Sequence, residues 1–197
     1  MVTVNPRPFF LIMENFIGVY ENALSEELCG KVIDWFENNP HISGDGKVAD
    51  GMVDKEVKDS TDAPLTFNSG VEVSNIIASA LVESLKKYKK KYSVLDRCVP
   101  PWSYADGYNI QKYNPGGAYF IEHCENDHKE SPRILAWMLY LNTVDDGGGT
   151  KFTTYDLTVK AEVGKILIWP AYWTHMHKGI VSPTQTKYIA TGWYEFI

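Results

Sequence analysis

A chain of 197 residues, 44% hydrophobic and 22% charged, can bury about 70% of its unfolded surface in one domain, so folding needs neither disulfide nor structural metal. Its net charge of −6 argues against broad attraction to nucleic acid or anionic lipid. Three scattered cysteines, Cys29, Cys98 and Cys124, make no disulfide framework or zinc knuckle, and the apolar run Phe9 to Met13 is too short for a signal core or a membrane span; a cytoplasmic protein with no membrane partner is expected.

In chain order, an edge strand ends near Tyr20. Ser25 then caps a helix whose first turn carries Glu26 and Glu27, whose apolar stripe is Leu28, Val32, Trp35 and Phe36, and which Asn38-Asn39-Pro40 stops. Residues 43 to 70 are rich in Gly, Asp, Ser and Thr and read as a long irregular segment with room for short strands, either a lid or a spacer. From Val73 to Tyr92, Val73, Ile76, Ile77, Ala80, Leu81, Leu85 and Tyr88 keep helical spacing; the lysines at 86, 87, 89, 90 and 91 read as its solvated face.

Beyond Pro100-Pro101 come β-rich runs: Tyr108 to Tyr113, Ala118 to Glu125, Ile134 to Asn142, Ile166 to Trp169 and Lys187 to Tyr194. Helices first and strands after, without βαβ alternation, predict a mainly β fold with flanking helices, an α+β arrangement whose core is an antiparallel sandwich or jelly roll. One domain spanning 1–197 is expected, with a helical and irregular part over about 1–100 and the β core over about 101–197.

Chemistry concentrates at His123-Cys124-Glu125 and at the pair His175 and His177. On a strand, residues two apart point the same way and lie roughly 6 to 7 Å apart, so His123 and Glu125 can close on one metal with a distant histidine. Two histidines and a carboxylate leave coordination positions open, which suits non-haem iron(II). A strand over 118–125 would put Tyr119, Ile121, His123 and Glu125 on one face and Phe120, Glu122 and Cys124 on the other, away from the metal. Asp127 is the rival carboxylate if that strand continues. The bland alternative is an ordinary surface His and Glu pair.

The surrounding motifs are more specific. Gln111-Lys112-Tyr113-Asn114-Pro115-Gly116-Gly117 precedes His123; Arg133 opens a run ending Tyr140-Leu141-Asn142; Gly148-Gly149-Thr150-Lys151-Phe152 follows; and His177, Lys187 and Trp193 stand ten and then six residues apart. In this order the chain resembles the iron(II)/2-oxoglutarate-dependent dioxygenases, nearest the prolyl 4-hydroxylase branch, closely over 108–194 and loosely in the N-terminal helix. The resemblance implies a double-stranded β-helix (jelly roll) with N-terminal helices packed on one side.

It also implies a metal set of His123, Glu125 and His177 acting as the catalytic centre, with His175 left beside it or toward the substrate, since only His177 has the family's spacing to Lys187. Lys187, Tyr140 and Tyr113 are the implied holders of 2-oxoglutarate, and Tyr119, Trp193 and His175 are substrate-side candidates. Fe(2+) and 2-oxoglutarate are the implied cofactor and co-substrate, with ascorbate as a reductant. Two departures stand out: glutamate replaces the family's usual aspartate ligand, and one extra residue separates Tyr119 from His123.

The implied reaction couples decarboxylation of 2-oxoglutarate, giving succinate and carbon dioxide, to hydroxylation of an unactivated C–H bond. The branch suggests a peptidyl proline, with Trp102, Trp137 and Trp173 as aromatic walls; a small molecule or free amino acid is the other substrate class. Ile168 or Trp169, together with Ile189, Thr191 and Trp193, would form a dry wall. The competing classes are a non-catalytic jelly-roll binding module and a metal-dependent isomerase or hydrolase on the same scaffold, neither of which needs a cation at Lys187.

Overall fold

The computed structural model describes residues 14–48, 51–97, 99–126 and 131–197. Cys98, Asp127 and the run Phe9 to Met13 lie outside them. Among the described residues ten strands are formed: β1 (Gly18–Tyr20), β2 (Gly44–Asp45), β3 (Thr61–Thr66), β4 (Trp102–Tyr113), β5 (Arg133–Tyr140), β6 (Thr150–Phe152), β7 (Leu157–Val159), β8 (Ile166–Pro170), β9 (His177–Gly179) and β10 (Lys187–Phe196). Two helices, α1 (Glu26–Asn38) and α2 (Glu72–Lys91), accompany them.

The strands make a seven-stranded sheet in the order β1-β8-β5-β10-β4-β3-β2 and a three-stranded sheet in the order β7-β6-β9. Every pairing is antiparallel. The fold is mostly β with a jelly-roll core.

Strand periodicity assigns each side chain of the large sheet to one of two layers. Tyr108 and Ile110 of β4, Leu135, Trp137 and Leu139 of β5, Ile166 and Ile168 of β8, and Ala190 and Tyr194 of β10 pack with the two helices. The intervening residues Tyr113, Ala136, Tyr140, Leu167, Trp169 and Ile189 face the small sheet and pack with Phe152 and Val159. Both faces of the central strands are therefore covered, which is why β5 and β8 read as continuous apolar runs rather than alternating ones.

Helix α1 starts at Ser25, whose hydroxyl oxygen accepts from the Leu28 amide at 3.3 Å, and stops where the Asn39 side chain donates to the Trp35 carbonyl at 2.7 Å. Val32 and Phe36 bury its stripe together with Cys29. Helix α2 buries Val73, Ile77, Ala80, Leu81 and Tyr88 against the sheet. Its lysines face outward, with Lys86 on Glu83 at 2.7 Å and Lys89 on Asp96 at 2.6 Å.

Residues 43 to 70 carry short strands, for which they had room, and one other expectation about strands is corrected. Residues 43 to 70 contain β3, a six-residue strand paired to β4 throughout, so the N-terminal part supplies sheet edges as well as helices. Composition hid it, because Pro64 and three polar residues, Thr61, Asp62 and Thr66, sit in a strand with one neighbouring edge nearly open. Conversely, Ala118 to Glu125 forms no strand; it is tied to its neighbours by isolated bridges from Tyr119 to Lys58 and from His123 to His177 and by a few further backbone hydrogen bonds, such as the Gly179 amide on the Tyr119 carbonyl at 2.9 Å. Gly116, at φ +89°, and the Gly117 turn direct the chain out of β4 before that pairing can continue. Among the described residues no helix is long and apolar enough to cross a membrane.

Candidate active site

His123 and His177 face one another across a bridge of two reciprocal backbone hydrogen bonds, each 2.9 Å. Directly opposed residues of an antiparallel pair project side chains to the same side, so the two imidazoles meet with ring centroids 4.4 Å apart. Glu125 arrives by a different route from the strand face that was expected. Arg133, at the start of β5, donates from Nη1 to the Glu125 carbonyl at 2.9 Å, and Asn126 is held by the Ala171 carbonyl at 2.8 Å and by its own side chain to Arg133 at 2.9 Å.

The three side chains form a single cluster whose ligand atoms all lie within 4.8 Å of one another. Glu125 Oε1 is 3.2 Å from His177 Nε2 and 3.8 Å from His123 Nε2. The other carboxylate oxygen, Oε2, accepts from the Trp193 indole N–H at 2.7 Å. Burial works to raise the Glu125 pKa, but the hydrogen bond and charge of His177, the charge of His123 and the Trp193 bond outweigh it and hold it at about 2.

Each imidazole is oriented by a backbone carbonyl. His177 Nδ1 lies 2.9 Å from the His175 oxygen and His123 Nδ1 lies 3.0 Å from the Ile121 oxygen. A carbonyl only accepts, so both Nδ1 atoms carry hydrogen, and in the neutral form that ligates a metal both rings would present a bare Nε2 toward the carboxylate in place of the Nε2 proton that lowers its pKa. Three acceptors converging in a largely buried place need a cation between them, and two nitrogens with one carboxylate oxygen fit a divalent metal of the iron type. Phe152 and Trp169 pack on His177, at 5.5 and 5.1 Å between ring centroids, and keep that side dry. Of the two β8 candidates for the dry wall, Trp169 is on the site face and Ile168 faces the helices.

The cluster opens into a cavity of about 710 Å³. Lys187, Ile189, Thr191 and Trp193 line it from alternate positions of β10, and Asn109, Gln111 and Tyr113 do so from β4. Lys187 is 5% exposed, its ammonium lies 4.3 Å from the Tyr113 ring centroid, and no carboxylate pairs with it among the described residues. Burial lowers its pKa to about 8. A lone buried ammonium facing a cavity fits an anionic ligand, since the ligand would supply the missing counter-charge.

The remaining candidates divide. Tyr119 lines the cavity and stacks on His123 with centroids 3.7 Å apart. Tyr140 is fully buried; its hydroxyl shares a 2.6 Å hydrogen bond with Thr150 Oγ1, and Thr150 rather than Tyr140 lines the cavity. Tyr113 donates to Gln111 Oε1 at 2.8 Å. The His175 ring does not line the cavity: Nε2 donates to the Asn15 carbonyl at 2.7 Å, the Thr174 hydroxyl lies 2.9 Å from Nδ1, and burial lowers its pKa. His175 reaches the site through its backbone oxygen alone. Cys124 lines the cavity without joining the metal cluster. Trp137 is buried on the helix side, Trp102 lies outside the cavity, and Trp173 is 75% exposed outside it, so none of the three forms the aromatic wall.

In place of an aromatic wall there is a polar one. Lys58 Nζ pairs with Asp62 Oδ2 at 2.5 Å; Ser60 and Gln111 donate to the same carboxylate at 2.7 and 3.1 Å. Gly46 lies on this group, its amide donating to the Ser60 carbonyl at 2.8 Å, and a Cβ there would come within 3.2 Å of Asp62 Oδ1 and nearer still to Ser60 Oγ. Sequence reasoning missed Lys58, Asp62 and Thr150. Asp62 stands opposite Gln111 in the β3/β4 register, a relation invisible until β3 is recognised.

The sequence of residues 108–195 matches the 2OG-Fe(II) oxygenase superfamily. Over this stretch the chain is similar to a 2OG-Fe(II) oxygenase domain. It contains the His123, Glu125 and His177 cluster and Lys187, and the family uses Fe(II) and 2-oxoglutarate. Among curated relatives, a probable prolyl 4-hydroxylase 10 of Arabidopsis thaliana is 27% identical over 141 residues, covering 68% of this chain and 44% of that protein. The chain thus spans less than half the length of that relative.

Among solved structures, two share the fold over most of the described chain. One is a viral collagen prolyl hydroxylase of Paramecium Bursaria Chlorella virus-1, solved as a 2OG complex, with TM-score 0.66, 19% identity and coverage of 92% of this chain and 97% of that one. The other is a prolyl hydroxylase from Trichoplax adhaerens in complex with a hypoxia inducible factor peptide fragment, with TM-score 0.66, 16% identity and coverage of 92% and 84%.

Proposed function

We propose that this chain is an Fe(II)- and 2-oxoglutarate-dependent dioxygenase that hydroxylates a peptidyl proline. The observation that carries the reading is the meeting, in one cavity, of a three-acceptor cluster with a buried ammonium that has no carboxylate beside it. An isomerase or hydrolase on the same scaffold would need the first feature and have no use for the second. The relatives support the proline: both the Arabidopsis protein and the solved structures are named as prolyl hydroxylases, one of them with a peptide bound.

In this reading His123, Glu125 and His177 would hold Fe(II). Bound iron with 2-oxoglutarate and oxygen supplies the oxidation, in which one oxygen atom goes into succinate as carbon dioxide leaves and the other into the substrate C–H bond. Lys187 holds the far carboxylate of 2-oxoglutarate, with the Tyr113 ring against the ammonium and the Thr150 and Tyr140 hydroxyl pair as further polar contacts on that side. Phe152, Trp169 and Ile189 exclude water from the reacting region. Tyr119, already stacked on His123, forms the substrate side of the first ligand. Ascorbate as a reductant belongs to the same proposal.

The test is a proline-containing peptide library incubated with protein, Fe(II), 2-oxoglutarate and ascorbate. Succinate formation with a matching +16 Da product, both absent from His177→Ala protein, is the expected result. Succinate production that tracks a free amino acid or other small molecule and no peptide would overturn the substrate assignment, and no 2-oxoglutarate turnover on any substrate would favour a binding module.

A further inference from the structure

Glu125 belongs to a segment that lacks strand pairing, and its side chain has one more rotatable bond than the aspartate usual at this position in the family. Left to itself such a carboxylate would lose rotamer freedom on binding a metal and aim poorly. Three contacts remove that freedom. The Arg133 Nη1–H donates to the Glu125 carbonyl at 2.9 Å, the Arg133 guanidinium carbon lies 3.7 Å from the Trp193 ring centroid, and the Trp193 N–H donates to Glu125 Oε2 at 2.7 Å. Arg133 and Trp193 are themselves fixed on adjacent paired strands, Trp193 standing opposite Ala136 in the β5/β10 register.

We propose that Arg133 and Trp193 are positioning residues for the Glu125 carboxylate, holding Oε2 so that Oε1 alone is offered to the metal. The inference rests on the reading of His123, Glu125 and His177 as a metal site. An aspartate at 125 is shorter by one methylene, roughly 1.5 Å. From the same backbone it cannot keep both the Trp193 bond and the approach to His177, now 3.2 Å. Without the Trp193 bond, Oε2 is free to swing toward the metal as a second donor, so the change reaches ligand geometry as well as affinity.

The experiment is Co(II) titration of the metal-stripped protein, followed by the visible Co(II) absorption spectrum, with thermal unfolding of each metal-free protein as the folding control. Glu125→Asp and Trp193→Phe should each weaken Co(II) binding by about tenfold, the scale of one hydrogen bond to a charged group. Trp193→Phe should also alter the absorption bands. The double variant should bind no more than about twofold worse than Glu125→Asp, because both changes remove the same bond. If Trp193→Phe does not fold, Arg133→Met carries the test, with a several-fold weaker Co(II) affinity expected at unchanged unfolding temperature. Wild-type affinity in folded Glu125→Asp, or fully additive losses in the double variant, would overturn the inference while leaving the metal site intact. Failure of the wild-type protein to bind Co(II) would overturn the metal site itself.

Discussion

Lys187 sits with its ammonium 4.3 Å from the centroid of the Tyr113 ring, the two residues being directly opposed in the β4/β10 register. The aromatic face gives the cation partial compensation, but less than the hydration it has lost, and its pKa accordingly falls to about 8.

That burial predicts a pH dependence. The ordinary lysine value is 10.5, so between about pH 8 and 10.5 the unfolded chain holds a proton that the folded ligand-free protein has released. Stability therefore rises with pH through this window, by at most about 3 kcal/mol. Urea unfolding of wild type and Lys187→Met at pH 7.5 and 10 checks this: the variant should lose the rise. Identical pH dependence in the two proteins would mean that the ammonium is not desolvated.

The side chains of Lys58 and Asp62 are 5 and 11% exposed, and two further donors serve the same carboxylate. Asp62→Ala strands a buried ammonium and should cost about 3 to 5 kcal/mol, whereas Lys58→Met with Asp62→Leu should cost far less, since the desolvation of both charges is removed together. Chemical denaturation of the three proteins measures this. Equal losses in the single and double variants would contradict the account of the pair.

Asp62 also illustrates what sequence patterns convey and what they do not. Periodicity and caps sufficed for both helices, since Ser25, the Val32 and Phe36 stripe and the Val73 to Tyr88 stripe are local signals. The β5 and β8 runs were equally plain because burial on both faces leaves them almost wholly apolar, and β10 showed by its aromatic and β-branched residues. The strand β3 was obscured by Pro64, and the cross-strand partnership of Asp62 with Gln111 depends on a register that no local pattern encodes. At the site, His123 with Glu125 was visible as a spacing, but the route was misread: a single bridge to His177 and the Arg133 hydrogen bond replace the supposed strand. Tertiary contacts did what strand pleating had been expected to do.

A local signal gives a smaller, separate prediction. Ser25→Ala removes the acceptor for the Leu28 amide and should destabilise the protein by about 0.5 to 2 kcal/mol without changing ligand binding. A denaturation midpoint unchanged from wild type would show that the 3.3 Å contact contributes nothing.

The most direct test of the central claim is calorimetric titration of 2-oxoglutarate into metal-loaded protein, metal-stripped protein and Lys187→Met. Because the cluster and the ammonium are assigned to opposite ends of one ligand, affinity should fall sharply when either is removed, by about 2 to 5 kcal/mol for Lys187→Met. Binding of 2-oxoglutarate that is equally tight in all three would contradict the account.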